Sequence, residues 1–101
     1  MRGILSDNAA AGRFEFRVGA ALAYVDYERA PGVTTLTYAR VPDELQGHGV
    51  GAAMTRAVLK ELAARGERVV PACGFIAAFI ARHPEFQALT RGPATRADEP
   101  D

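Results

Sequence analysis

Gly47, Gly49 and Gly51 alternate with other residues in the segment Val41–Ala52, here called the glycine loop, which lies between a predicted strand and a predicted helix. Positions without side chains leave backbone N–H groups uncovered at a helix N-terminus, where unpaired donors and the helix dipole favour a phosphate or pyrophosphate. No Gly-Lys-Ser/Thr follows, so this is not a Walker loop, and the acidic residue of a dinucleotide-binding unit is missing. The pattern indicates a phosphate-bearing ligand. The alternative is a glycine-rich turn that only begins a helix.

Cys73 is the single cysteine of the chain and follows a short apolar segment just before a predicted helix. A helix N-terminus favours the thiolate, which is the nucleophilic form of the side chain. Unpaired cysteines are also among the most buried residues, so a place in the core is the alternative. One cysteine builds neither an internal disulfide nor a Cys-rich zinc site, which favours a reducing cytosol as the compartment.

The sequence gives weaker support for a functional role of the two histidines. His48 lies inside the glycine loop, where it either touches a phosphate or stays an exposed loop side chain. His83 precedes Pro84 at a predicted helix end, where an imidazole caps the last carbonyl groups. Neither the histidines nor the scattered carboxylates show the spacing of metal ligands, so no metal site is predicted.

Alternating apolar residues predict strands before the glycine loop. The run FEFRVGAALAYVDY, residues 14–27, contains two strands separated near Gly19 and Ala20. The β-branched and aromatic residues of Val33–Val41 predict a third strand, after a turn at residues 30–32 where Pro and Gly are adjacent. The short connections predict an antiparallel meander of these three strands.

The period of the apolar residues changes to that of a helix after Gly51. Met54, Val58 and Leu62 recur four residues apart, and Gly66 stands where a helix-ending glycine belongs. We therefore expect a helix of about four turns, with Met54 in the core.

A second strand–helix pair follows this helix. Residues 67–73 predict a short strand, and the order strand, helix, strand predicts a right-handed parallel crossover. Residues 74–83 predict a closing helix that ends before Pro84, with Phe75 and Phe79 in the core. The expected architecture is an α/β (α+β) domain made of an antiparallel meander, a parallel β-α-β unit and a closing helix.

The composition is that of one soluble globular domain: 101 residues, 49% hydrophobic and 24% charged. Twelve basic residues balance twelve acidic ones, so general electrostatic binding to nucleic acid or to an anionic membrane is not expected. No run of about 18 apolar residues and no signal-peptide core occur. The sequence therefore predicts a cytoplasmic protein and, because nothing indicates a coiled coil or a large apolar interface, a monomer.

Composition also suggests where the folded part begins and ends. Residues 1–12 are expected to form a flexible N-terminus and residues 13–89 the folded domain. Residues 90–101 carry no apolar stripe and are expected to be a disordered tail.

The glycine loop resembles that of a known superfamily. Its run Gln46-Gly47-His48-Gly49-Val50-Gly51 matches the Q/R-x-x-G-x-G/A pattern of the GNAT superfamily of N-acetyltransferases. The runs VPDELQGHGVGAAM, VVPACGF and IARHPEF are together similar to small single-domain acetyltransferases of the YjdJ type, over roughly residues 14–89. The resemblance implies a shortened GNAT-like fold that lacks the N-terminal strand and two helices with which larger relatives bind the acceptor.

The resemblance also implies a binding site for acetyl-coenzyme A. It assigns pyrophosphate binding to Gln46, Gly47, His48, Gly49, Val50, Gly51 and Ala52. The backbone near Val41 would pair with the pantetheine arm, as an added strand would. The thioester would then lie between the strand that ends at Val41 and the strand that ends at Cys73, which makes Cys73 a candidate catalytic residue.

Tyr38 marks a departure from the family pattern, which usually has a histidine four residues before the proline of the Val-Pro pair. A tyrosine is a poor general base near neutral pH. Tyr38 is therefore expected either to orient or protonate a leaving thiolate, or to be a packed strand aromatic.

The leading hypothesis is an acetyl-coenzyme A-dependent N-acetyltransferase that moves an acetyl group to an amine, either directly or through Cys73. A module that binds coenzyme A or an acyl derivative without turnover is the runner-up, favoured by the missing histidine and the missing acceptor-binding elements. A small structural domain that binds no nucleotide is the third possibility. The amine acceptor is not identified by the sequence.

Overall fold

Five strands form one sheet in the order of the sequence in the computed structural model, which describes residues 2–91. The strands are β1 (Ile4–Asn8), β2 (Arg13–Val18), β3 (Ala21–Ala30), β4 (Val33–Arg40) and β5 (Arg68–Pro71). β1 to β4 are antiparallel neighbours, and β5 pairs with β4 in parallel. The predicted meander, the parallel crossover and the α/β fold class are confirmed.

Two helices follow the meander, α1 (Val50–Ala64) before β5 and α2 (Gly74–Ala81) after it. Short 3-10 turns occupy Ala9–Ala11, Asp43–Leu45 and Pro84–Phe86. At the end of α1 the N–H of Gly66 donates to the Ala63 carbonyl and the N–H of Glu67 donates to the Leu62 carbonyl, both at 3.0 Å. This pair of bonds is the glycine-based helix ending that the sequence predicts.

The end of α2 also agrees with the sequence. His83 Nδ1 lies 2.7 Å from the Phe79 carbonyl oxygen, and the two rings are stacked with centroids 3.9 Å apart. The imidazole therefore caps the helix, which is the structural role expected for His83.

Both helices lie on the same face of the sheet, here called the inner face. Alternate residues over residues 14–16 of β2 and residues 23–27 of β3 are buried there, and these residues form one cluster with the buried side chains of α1 and α2. The largest fully buried members are Phe14, Phe79, Leu36, Met54, Leu59, Leu62 and Ile76. Truncating one of these leucines to alanine removes contacts worth about 3 kcal/mol. Tyr24, between the buried Ala23 and Val25, points to the opposite face, here called the outer face.

The N-terminus differs from the expected flexible segment over residues 1–12. Residues Ile4–Asn8 form β1, which pairs with β2 from Ile4 opposite Arg17 to Asn8 opposite Arg13. The prediction of a flexible N-terminus is therefore wrong for this strand. The strand is short and its first residue, Ile4, is 70% exposed, so no alternation of buried apolar residues marks it in the sequence.

Asp7 anchors β1 to the rest of the domain. Its carboxylate accepts hydrogen bonds from the Tyr27 hydroxyl on β3, from Arg29 at 3.2 Å and from Arg65 at 3.0 Å. Arg65 follows the last residue of α1, and its guanidinium also lies over the Phe14 ring, 5.6 Å from the centroid. Asp7 thus connects β1, β3 and the end of α1.

The C-terminal boundary also shifts. The chain is expected to be disordered over residues 90–101, but the N–H of Thr90 donates to the Gln87 carbonyl, and Arg68 Nε donates to the Thr90 carbonyl at 3.2 Å. The expectation is therefore wrong for Thr90. Residues 92–101 lie outside the described part of the chain.

We expect Asp7→Asn to lower the free energy of unfolding by about 1–2 kcal/mol at neutral pH. Burial raises the pKa of the Asp7 carboxyl, but hydrogen bonds from Tyr27 and Arg65 and the charge of Arg29 outweigh it, so the pKa lies below its usual value of 3.8. Because the folded-state pKa is the lower one, this stabilisation is complete at neutral pH. It is lost as the pH falls below about 4 and through the folded-state pKa.

Urea unfolding of both proteins at pH 7 and pH 3 measures this effect. The difference between wild type and variant should shrink at pH 3, and a difference of equal size at both pH values would contradict the role given to the Asp7 carboxylate. Asp26→Asn is the matched control, because Asp26 lies on the outer face of β3 and its side chain forms no ion pair among residues 2–91.

Candidate functional site

A cavity of about 450 Å³ lies between the end of β4, the glycine loop, the start of α1 and one side of α2. Its lining residues are Ala39, Val41, Leu45, Gln46, Gly47, Gly49, Val50, Gly51, Ala52, Met54, Phe75, Phe79 and Arg82. Most of these residues are apolar, and Arg82 is the one that carries a charge. The glycine loop therefore borders a groove large enough for part of a small-molecule ligand.

The glycine loop is held in place at its first half. Gln46 Nε2 donates to the Val41 carbonyl at 2.9 Å, which closes the 3-10 turn Asp43–Leu45 onto the end of β4. Leu45 is buried and anchors this turn in the core. Gln46 therefore shapes the loop through the backbone of Val41.

The second half of the loop turns into α1 at Gly49. The backbone of Gly49 has a φ of 75°, a conformation that residues with a side chain rarely adopt. The Gly49 carbonyl accepts the first hydrogen bond of the helix, from the N–H of Ala53 at 3.0 Å. The N–H groups of the three residues between them, Val50–Ala52, precede the first helical donor and have no partner within α1. All three residues line the cavity. The cavity thus meets unpaired backbone donors at the positive end of α1, an arrangement that suits an anion.

Gly51 is required by close packing. A Cβ at this position would lie 3.0 Å from the Phe75 ring and 3.6 Å from Val41 Cγ2. Phe75 is 47% exposed, so its expected place in the core is wrong, and its ring lies against the glycine loop instead. Phe79 and Met54 are buried as expected, and they line the inner end of the same cavity.

β4 and β5 separate close to Cys73. Their pairing covers Val33 to Leu36 of β4, because β5 ends at Pro71, and the N–H of Cys73 then donates to the Leu36 carbonyl at 3.0 Å. β4 continues to Arg40, and no described strand pairs with it on this side beyond Leu36. Cys73 is half-buried, packs against the core at the N-cap of α2 and does not line the cavity.

Tyr38 lies on the outer face, away from the cavity. The register between β3 and β4 shifts so that Thr37 has no opposite residue, and this bulge moves Tyr38 out while Ala39 and Val41 turn toward the cavity. The Tyr38 ring is 49% exposed and lies beside Tyr24, with centroids 6.3 Å apart. The structure does not bring Tyr38 together with the glycine loop.

Seven of the eight residues expected to bind the cofactor line one cavity, and His48 is the exposed exception. Sequence reasoning missed Arg82 and the role of Phe75. A signal was present, because Phe75, Phe79 and Arg82 are spaced four and three residues apart and so share one side of a helix.

Two further kinds of feature are absent from the described residues. Within residues 2–91, no group of three or more His, Cys, Asp and Glu side chains is placed to hold a metal ion. No helix in the same range is long and apolar enough to cross a membrane.

Comparison with known proteins identifies the family. A family model described as GCN5-related N-acetyl-transferase matches residues 13–89, which include every residue that lines the cavity. No curated protein sequence matches the chain. The match confirms the resemblance of the glycine loop to the GNAT superfamily, whose members use acetyl-coenzyme A as the acetyl donor. Because it covers most of the chain and the whole cavity, the protein belongs to the GCN5-related N-acetyltransferase family.

Proposed function

We propose that the protein binds acetyl-coenzyme A in the cavity and transfers the acetyl group to an amine. The observation that carries the proposal is the meeting of the glycine loop with three unpaired N–H groups at the start of α1, inside a cavity. These donors suit the pyrophosphate, and the glycines let it approach the backbone closely. Within the family, the proposal extends to the YjdJ type, which the motifs around Pro42, Cys73 and Pro84 support.

The pantetheine arm lies along β4 in this proposal. Beyond Leu36, the side of β4 that faces β5 has no strand partner among residues 2–91, so its N–H and C=O groups are available to the amides of the arm. The arm thereby extends the sheet, with the thioester toward Cys73 and the pyrophosphate at the glycine loop.

Cys73 is the proposed first acceptor of the acetyl group. Its sulfur attacks the thioester carbonyl carbon, the bond from that carbon to the coenzyme A sulfur breaks, and the thiol proton leaves with coenzyme A. The acceptor amine then attacks the acetyl-cysteine, the carbon–sulfur bond breaks, and the thiol is regenerated with a proton from the amine. The first N–H groups of α2, next to Cys73, supply donors for the negative charge that develops on the carbonyl oxygen.

Calorimetric titration with acetyl-coenzyme A, followed by an assay of coenzyme A release with several classes of amine, tests this function. The amines are a lysine-containing peptide, a peptide with a free N-terminus and a small polyamine. We expect saturable binding and release that depends on one of these classes. Binding without release would favour a non-catalytic coenzyme A-binding module, and no binding at high ligand concentration would mean that the glycine loop only begins a helix.

A further inference from the structure

We propose that Arg82 binds the ribose 3′-phosphate of coenzyme A, so that the protein distinguishes coenzyme A from its 3′-dephospho form. This inference rests on the proposed function, because it concerns the far end of the same ligand. It assigns a role to Arg82, which lies outside the glycine loop and takes no part in the proposed acetyl transfer.

Arg82 is the single charged residue among those that line the cavity. Its side chain forms no ion pair within residues 2–91, whereas Arg29, Arg56 and Arg65 are each paired with a carboxylate. A guanidinium that lines a cavity and has no acidic partner is suited to bind a phosphate, to which it donates two parallel N–H···O hydrogen bonds.

The position of Arg82 follows from the geometry of α2. Phe75, Phe79 and Arg82 share one side of the helix and line one wall of the cavity. Arg82 lies seven positions after Phe75, which corresponds to about 10 Å along the helix axis. Phe75 lies against Gly51 at the glycine loop, so Arg82 lies about 10 Å farther along this wall.

The order of groups along the wall matches the order of groups in coenzyme A. Cys73 precedes α2 at the point where β4 and β5 separate, Phe75 marks the glycine loop, and Arg82 lies at the opposite end of the helix. In coenzyme A the thiol and the 3′-phosphate lie on opposite sides of the pyrophosphate. With the pyrophosphate at the glycine loop and the thioester toward Cys73, the 3′-phosphate is the anionic group that extends toward Arg82.

The backbone at Arg82 is fixed while its side chain is free. Its N–H donates to the carbonyls of Ala78 at 3.2 Å and Phe79 at 3.1 Å, and the Phe79 ring is held by the stacked His83. The side chain is exposed at the C-terminal end of a helix, where a positive charge is favourable. The guanidinium can therefore contact a ligand in the cavity without a rearrangement of the helix end.

Calorimetric titration of wild type and Arg82→Gln with coenzyme A and with 3′-dephospho-coenzyme A tests the assignment. We expect wild type to bind coenzyme A about tenfold more tightly than the dephospho form, a ratio typical of one exposed charge-assisted contact. Arg82→Gln should lose this tenfold preference and bind the dephospho form as wild type does. Arg17→Gln, on the outer face of β2, is the matched control and should keep the preference.

If Arg82→Gln weakened the binding of coenzyme A and of its dephospho form equally, the proposal would be overturned. Arg82 would then contact a group that both ligands share, such as the pyrophosphate. An unchanged preference in the variant, or no preference in wild type, would also overturn it while leaving the proposed function intact. If wild type bound neither ligand, the proposed function itself would fail, and the assignment of Arg82 with it. Because Arg82 is exposed, we expect the variant to fold as wild type does, and a thermal unfolding curve checks this directly.

Discussion

The substitution Gly49→Val is expected to abolish acetyl-coenzyme A binding while leaving the domain folded. Gly49 has a φ of 75°, and no atom beyond its two chain neighbours lies within 4 Å of where its Cβ would be, so a Cβ fits there. Gly49 lines the cavity beside Val50–Ala52, and we expect the added side chain to occupy space that the pyrophosphate is proposed to use. We expect affinity to fall by more than about a hundredfold, because several charge-assisted contacts are lost together.

Gly19→Val is the matched control for this experiment. Gly19 has a φ of 60°, and likewise no atom lies within 4 Å of its Cβ position, but it lies in the turn between β2 and β3. Both variants should lose about 1–2 kcal/mol of stability through backbone strain. Thermal unfolding measures that loss and calorimetry measures binding. Full affinity in Gly49→Val, or equal loss in both variants, would show that the glycine loop does not hold the ligand.

The second large effect is expected from Cys73→Ala, which should lower the rate of acetyl transfer by about a thousandfold or more. Cys73 does not line the cavity, so binding of acetyl-coenzyme A should stay within about twofold of wild type. Intact-mass measurement after mixing with acetyl-coenzyme A should show one added acetyl group on wild type and none on the variant.

Cys73→Ser separates nucleophilic chemistry from packing at this half-buried position. Serine restores most of the volume of the side chain but is a much weaker nucleophile without an adjacent base. We therefore expect the serine variant to be as slow as the alanine variant. A wild-type rate in either variant would mean that the amine attacks the thioester directly and that Cys73 only packs beside it.

Local patterns in the sequence predict most of the fold because its elements are locally determined. β2 and β3 alternate buried and half-buried residues over most of their length, α1 has an apolar stripe and a glycine-based ending, and each sheet neighbour is the next strand in the chain. β1 could not be predicted in this way. Ile4 is 70% exposed, so β1 lacks a clear apolar alternation, and the strand is stabilised in part by the long-range contacts of Asp7 with Tyr27 and Arg65.

The site is predicted in part for a similar reason. Glycine spacing before a helix has a direct physical meaning, so candidate cofactor-binding residues could be named, and most of these candidates line the cavity. The face that Tyr38 occupies depends on a single extra residue, Thr37, in the pairing with β3, which the sequence does not show. Periodicity placed Phe75 on the apolar side of α2, but it does not distinguish a side chain in the core from one that lines a cavity.

The cavity is lined entirely by residues between Ala39 and Arg82, and β1, β2 and β3 contribute none of its described walls. A bound ligand therefore stabilises those states of the protein in which this one stretch is folded, by a free energy that grows with the logarithm of the ligand concentration relative to Kd. Partly unfolded states that keep only the N-terminal meander gain nothing from the ligand. If acetyl-coenzyme A is the ligand, as proposed, its supply is expected to set how often α1 and α2 open, and with it the resistance of this part of the chain to amide exchange and to proteolysis.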